Sequence, residues 1–318
     1  MFKKILVPLD RSALAERVLP HAVALAAVFQ SHVTLLHVLD PVHMTNYARA
    51  VDAFDWQMHR AEAEKYLAEM VAQMGRAGVE TESVILDGEA AERVVEHSRV
   101  SRSDLIMLSS HGQSGLSSWN VSSVVQKIIL RAYTSIMVVR AYQPAPSELI
   151  GLRYHRLLLP MDGSQRAECV LPPAEMLARA HNAQALFVHV VRRPEMPRRT
   201  PLSPEDAELA QRIVECNQTE AARYLDELNS RLSGDTETRL LVKDSVEAAL
   251  HELADQEKVD LVILSAHGYT GETRWPHGGV VTSFLSYGNT ALLIVQDVPQ
   301  DNLEPGGPEL AARQVGRQ

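Results

Sequence analysis

Cysteine is scarce: the only two, Cys169 and Cys216, are too few for a disulfide framework. Both fall in stretches expected to be helical, and they read as reduced, half-buried thiols of a cytoplasmic protein. Long apolar runs are also missing. None reaches the roughly 18 residues that a membrane span needs, so no membrane partner is expected. Met1-Phe-Lys-Lys4 leads straight into the apolar run Ile5–Leu9, unlike a signal peptide. Positive charge is in deficit, with a formal net charge of −9, and a nucleic-acid-binding face has no general electrostatic support. No Gly-x4-Gly-Lys-Ser/Thr loop occurs, which excludes a P-loop. No Ser-His-Asp or Cys-His set stands in the context of a nucleophile elbow.

What is present is one stretch met twice. Asp104-Leu-Ile-Met-Leu-Ser109-Ser-His111-Gly112-Gln-Ser-Gly115, running on to Trp119, returns as Asp260-Leu-Val-Ile-Leu-Ser265-Ala-His267-Gly268-Tyr-Thr-Gly271, running on to Trp275. Each copy is a short apolar run, a Ser/His/Gly break, a loop and an amphipathic helix. A buried parallel strand feeding a glycine-bearing loop and a helix N-terminus is how α/β proteins hold phosphates.

Strand and helix patterns alternate along both halves. The first half reads as a strand at Ile5–Leu9, a helix at 13–30 capped by Ser12 and kinked at Pro20, and a strand at Val33–Val38. A long helix follows at about 47–74, then a strand near Thr81–Leu86 and a helix near Glu89–Ser98. The half closes with a strand at Leu105–Leu108, a helix at about Ser123–Arg131 and a strand at Ile136–Arg140. The second half repeats this order. Asp10/Asp162, Ser12/Ser164, Pro20/Pro172 and Val38/Val190 share one offset of 152 residues, and Ser109/Ser265 are offset by 156. A single register over most of the chain marks an internal duplication. It divides 318 residues into domains at 1–142 and 154–298, with a segment at 299–318 expected to be disordered.

Such alternation predicts an α/β fold: two tandem Rossmann-like domains, each a five-stranded parallel sheet with helices on both faces. With strand order 3-2-1-4-5, the chain reverses between strands one and four. A ligand crevice then lies at their carboxyl ends, between Asp10 and Ser109 and between Asp162 and Ser265. The runs Ile136–Val139 and Leu292–Val295 are apolar enough to pair edge to edge, giving a pseudo-two-fold dimer within one chain. A further homodimer of whole chains stays open.

These residues resemble the tandem universal stress proteins. The opening Val7-Pro8-Leu-Asp10-Arg-Ser12, the strand end His37-Val38 and the Ser-x-His-Gly turn carry the resemblance, which covers about residues 2–140 and 154–297. It implies five parallel strands per domain and, in the better-preserved members, ATP or another adenine nucleotide. Other members bind none, and most have no assigned reaction. The family's nucleotide motif is Gly-x2-Gly-x9-Gly-Ser/Thr. Here Ser109 and Ser265 replace its first glycine, while Gly112 and Gly268 keep the second. Ser122-Ser123 end the motif in repeat one and Gly278-Gly279 in repeat two.

Each candidate has a plainer alternative. Asp10 and Asp162 would meet the ribose or adenine side, or else bond loop amides. Ser12 and Ser164 serve equally as helix caps. Val38 and Val190 would offer backbone groups to adenine. Gly112 and Gly268 would allow positive φ or close backbone approach. Gly278, Gly279 and the helix from about Val280 would open backbone amides to phosphate. His111, His267, His277 and His251 match no compact metal spacing, and no carboxylate is placed with them by sequence, so no metal is expected. Arg192, Arg193, Arg198 and Arg199 follow strand two of repeat two and could meet phosphates.

The function expected is a regulatory stress-response protein that binds an adenine nucleotide, more tightly in repeat two, and acts on an unidentified protein partner. Repeat one would be weakened if Ser122 is forced into a left-handed backbone, at about 1–2 kcal/mol. The alternative is an interaction scaffold whose sites have decayed. Catalysis is at most slow ATP hydrolysis, since no general base is convincingly placed.

Overall fold

The computed structural model describes residues 1–40, 53–113, 115, 120–143, 148–194, 203–269 and 277–297. The segment expected to be disordered, Arg198, Arg199, Trp119 and Trp275 lie outside them. In the first half β1 is Lys4–Pro8, α1 Leu19–Phe29, β2 His32–Leu39, α2 Ala53–Arg76 and β3 Thr81–Asp87. Then come α3 Ala90–Val100, β4 Leu105–Ser109, α4 Ser123–Arg131 and β5 Ser135–Val139. The second half gives β6 Arg156–Pro160, α5 Leu171–His181, β7 Gln184–Arg192, α6 Pro204–Arg231 and β8 Thr236–Lys243. It closes with α7 Val246–Gln256, β9 Leu261–Ser265, α8 Gly279–Tyr287 and β10 Ala291–Val295.

All the strands join one sheet in the order β3-β2-β1-β4-β5-β10-β9-β6-β7-β8. The order is a palindrome under exchange of the two halves. Pairing is parallel everywhere except at the centre, where β5 meets β10 antiparallel, with Ile136 opposite Ile294 and Val138 opposite Leu292. The central strands β4, β5 and β10 are buried at every residue, as parallel strands covered on both faces must be. The outer strands β3 and β8 are only half buried.

Side chains alternate between two cores. Ile5 and Val7 of β1 face one core with α1, α2, α5 and α6, whereas Leu6 faces the other with α3, α4, α7 and α8. Both cores run continuously across the β5–β10 seam. The seam is also held by polar groups. The buried Arg140 donates from Nη2 to Phe284 O at 2.7 Å, in the last turn of α8, and from Nε to Thr290 O at 3.2 Å, just beyond that helix. On the opposite face His21 Nδ1 meets the hydroxyl of the buried Tyr154 at 2.7 Å.

Two local expectations change. Pro20 does not kink a helix. A 3₁₀ turn at Ala15–Val18 comes first, and Pro20 sits in the first turn of α1, where its missing N–H has no intrahelical partner to lose. Cys169 is half-buried as expected, but Cys216 is exposed on α6.

Candidate functional site

The order of strands reverses beside β1 and again beside β6, because β4 pairs with β1 on the side opposite β2, and β9 with β6 on the side opposite β7. The carboxyl ends of these strands bring Asp10 toward Gly112 and Asp162 toward Gly268. In repeat one Asp10 Oδ1 accepts from Ser12 N at 3.1 Å and Ser12 Oγ at 2.6 Å, and Oδ2 accepts from Gln113 N at 2.5 Å. In repeat two Asp162 Oδ1 accepts from Ser164 N at 2.9 Å and Oγ at 2.6 Å, and Oδ2 accepts from Tyr269 N at 2.5 Å. Ser12 Oγ and Ser164 Oγ then each accept from a backbone N–H three residues on, at 3.1 Å. Each aspartate thus clamps the end of its first strand to the loop after its fourth.

This clamp gives the physical reason for Gly112 and Gly268. Neither has positive φ. A Cβ on Gly112 would stand 1.9 Å from Asp10 Oδ2, and one on Gly268 would stand 2.3 Å from Asp162 Oδ2. Close approach, not a left-handed backbone, excludes a side chain there.

Strain at Ser122 is likewise absent. Its φ is −68° and ψ 160°, ordinary extended backbone, and its Oγ caps α4 by accepting from Val125 N at 3.3 Å. Ser123 follows as the first residue of α4. Gly278 adopts nearly the same backbone, φ −79° and ψ 176°, but has no side chain to cap α8. The difference between the repeats is therefore a filled helix cap against an open one.

Repeat two encloses a cavity of about 510 Å³ at this place. Asp162, Val190, Ser265, Gly268, Gly278, Gly279 and Val280 line it, together with His189, His267 and His277. β7 runs on to Arg192 while β6 stops at Pro160, opposite Val188, so Val190 carries its backbone past the end of β6. The serines at the first motif position bond differently: Ser109 Oγ donates across to Leu14 O at 2.7 Å, and Ser265 Oγ donates within its own loop to His267 O at 2.5 Å. Val38 is partly buried at the matching end of β2, where His37 Nδ1 meets Leu9 O at 2.7 Å.

A carboxylate does stand with the loop histidines. His267 Nδ1 lies 2.6 Å from Asp297 Oδ1, both side chains almost wholly buried, and Arg166 Nε lies 3.2 Å from Asp297 Oδ2. Position 297 follows the last strand, far in sequence from the histidine loop. The signal that could have found it is the repeat itself, since Ala141 occupies the matching place and His111 instead contacts Ser110 Oγ at 3.1 Å. His251 does not share the crevice. It lies on α7, bonded to Ser283 Oγ at 3.1 Å. Among the described residues no group of three or more His, Cys, Asp or Glu is placed to hold a metal ion. Arg192 and Arg193 are exposed at the end of β7, and Arg193 pairs with Asp244 at 3.4 Å.

Two histidines of the cavity are tuned by burial. His189 is shifted below the ordinary imidazole range by desolvation, and its Nδ1 is buried without a hydrogen-bond partner. His277 is pushed down to about 4 by burial, which outweighs the favourable bond from its Nε2 to Ile129 O at 3.0 Å. A buried imidazole that stays neutral at pH 7 is the result.

Two doubly wound units sharing one sheet, each with a glycine-bearing crevice at its strand ends, define a tandem Rossmann-like α/β protein. The model of the universal stress protein family matches residues 1–140 and 153–296, and the chain belongs to that family. A universal stress protein of Bacillus subtilis is 27% identical over 148 residues, spanning 44% of this chain and 100% of that protein. One from Methanocaldococcus jannaschii is 24% identical over 144 residues, 44% of this chain and 83% of its own length. The fold alone is shared with a universal stress protein from Archaeoglobus fulgidus DSM 4304, at TM-score 0.66 and 13% identity, over 94% of this chain and 100% of that one.

Proposed function

We propose that this universal stress protein is a cytoplasmic regulator that binds ATP or another adenine nucleotide in the crevice of repeat two, and that binding biases a surface read by a protein partner. The observation that carries this reading is the open N-terminus of α8 inside the 510 Å³ cavity. Backbone amides there have no side-chain cap, and the helix dipole favours an anion. Asp162 and the overhanging backbone of Val190 stand across the cavity, on the side where a ribose and base would lie. In repeat one the Ser122 hydroxyl already occupies one of the corresponding amides, Val125 N. No strain penalty enters the comparison. The preference for repeat two rests on the open cap alone and amounts to about 1 kcal/mol, or several-fold in affinity.

The test is calorimetric titration of ATP into the parent chain and into Gly268→Val and Gly112→Val. Either side chain would collide with its aspartate and unclasp one crevice. Loss of most of the heat from Gly268→Val, with little loss from Gly112→Val, is expected. Equal losses, or loss from Gly112→Val alone, overturn the assignment to repeat two. A parent that gives no heat, and no nucleotide by mass spectrometry after gentle purification, favours the scaffold.

A further inference from the structure

We infer that ATP entering the repeat-two crevice brings a proton with it, and that His277 is the residue that makes this binding proton-coupled. The inference rests on the nucleotide reading above and adds what the pocket demands of its ligand. A carbonyl oxygen only accepts, so the Nε2 that faces Ile129 O at 3.0 Å carries the ring proton. In the neutral ring Nδ1 is then a bare acceptor. Among the described residues it is buried and has no partner.

His277 immediately precedes Gly278, the uncapped N-terminus of α8, and both line the cavity. The amides of that helix end suit a phosphate. A fully ionised phosphate, however, offers lone pairs only, and two acceptors do not bond without a proton between them. Either the ring takes one and donates from both nitrogens, or the phosphate keeps its last one, whose pKa is about 6. In both cases the complex holds a proton that the separated partners at neutral pH do not.

The charged surroundings favour the ring as its holder. Asp297, at the end of β10, stabilises an imidazolium, while His267 from the loop after β9 opposes it. Arg166 lies on the far oxygen of Asp297, and α4 contributes only the Ile129 carbonyl. Without ligand, burial keeps His277 neutral at pH 7. Repeat one has Val121 at the matching position and cannot respond in this way.

The experiment is ATP calorimetry on the full chain in two buffers of different ionisation heat, at about pH 7. The parent is expected to take up about half a proton or more per ATP, and its affinity to rise roughly threefold or more for each pH unit between about pH 8 and pH 6.5. His277→Val copies the residue of repeat one. His277→Gln keeps a donor for Ile129 O but does not titrate. Both variants should bind ATP with uptake near zero and a flat pH profile, and adenosine, lacking phosphate, should bind the parent without uptake. ATP binding to the parent with no proton exchange, or uptake unchanged in both variants, overturns the proton coupling and leaves the nucleotide reading standing. No ATP binding at any pH overturns both.

Discussion

The two halves of this chain share a frame and differ in how the crevice is finished. In repeat one each loose end is tied locally: Ser122 caps α4, His111 meets Ser110 Oγ, and His37 meets the Leu9 carbonyl. In repeat two the matching places are Gly278, a His267–Asp297–Arg166 chain, and a His189 whose Nδ1 has no partner. A helix cap and a ligand site use the same backbone amides. Filling them with a hydroxyl stabilises the fold, and leaving them open keeps them available to an anion. The contrast teaches that a duplicated fold can finish the same helix end in two ways, with a hydroxyl cap in one copy and open amides in the other.

Acid should break the comparison most severely, because it strikes contacts made between the halves. His21 and His277 each bond across the seam, one to Tyr154 and one to Ile129, and burial lowers both to about 4. For a histidine whose folded pKa lies below its unfolded value of 6.5, the stabilisation is complete above pH 6.5 and is lost as pH falls toward 4. Each shift corresponds to about 3 kcal/mol over that window. Melting temperature followed from pH 7.5 to pH 4.5 should fall steeply. His21→Phe, which cannot titrate, should flatten part of the slope, and an unchanged slope would refute its share.

A smaller effect separates the two sides of the seam. Arg140 and Gln296 occupy matching positions, and Arg140 brings a charge to the end of a helix in the other half. Arg140→Met should cost about 2–3 kcal/mol in denaturant unfolding, the range for hydrogen bonds to a charged group. Gln296→Met should cost less, about 1 kcal/mol or below, since hydrogen bonds of a neutral amide are weaker than those of a charged group and its backbone N–H keeps the bond to Ser135 Oγ at 3.0 Å. Equal losses would make the seam symmetric.

The smallest effect sharpens the functional contrast. Gly278→Ser gives repeat two the cap of repeat one, and it should raise stability by a few tenths of a kcal/mol while weakening ATP. Ser122→Gly should do the reverse in repeat one, by a few tenths of a kcal/mol. Unfolding and ATP titration of each variant check the pair. If Gly278→Ser tightened ATP, the competition between cap and ligand would be refuted.

Much of this architecture was legible in the residues. Strand–helix alternation is a local pattern, so Ile5–Leu9, Val33–Val38 and Leu105–Leu108 fell close to their strands, and the offset between the repeats predicted one topology twice. The β5–β10 seam was legible too, because Ile136–Val139 and Leu292–Val295 are apolar throughout. What escaped depends on distant partners. Gly112 carries no mark saying that Asp10, a hundred residues earlier, needs its Cβ space. Asp297 lies beyond the last strand and meets His267 only after the sheet forms. Pro20 misled because a preceding 3₁₀ turn shifts the helix start, and Ser122 misled because a cap and a strained glycine site look alike in sequence.

The seam also sets a waiting time. β5 is complete at Val139, and its partner β10 begins only at Ala291. At about 5–20 residues per second of synthesis, the newly made first half carries a bare apolar edge for roughly 8–30 seconds. Two nascent chains on one messenger could pair through that edge before either meets its own β10. The order of strands in the gene, as much as the strength of the finished seam, decides whether the halves find each other or a neighbour.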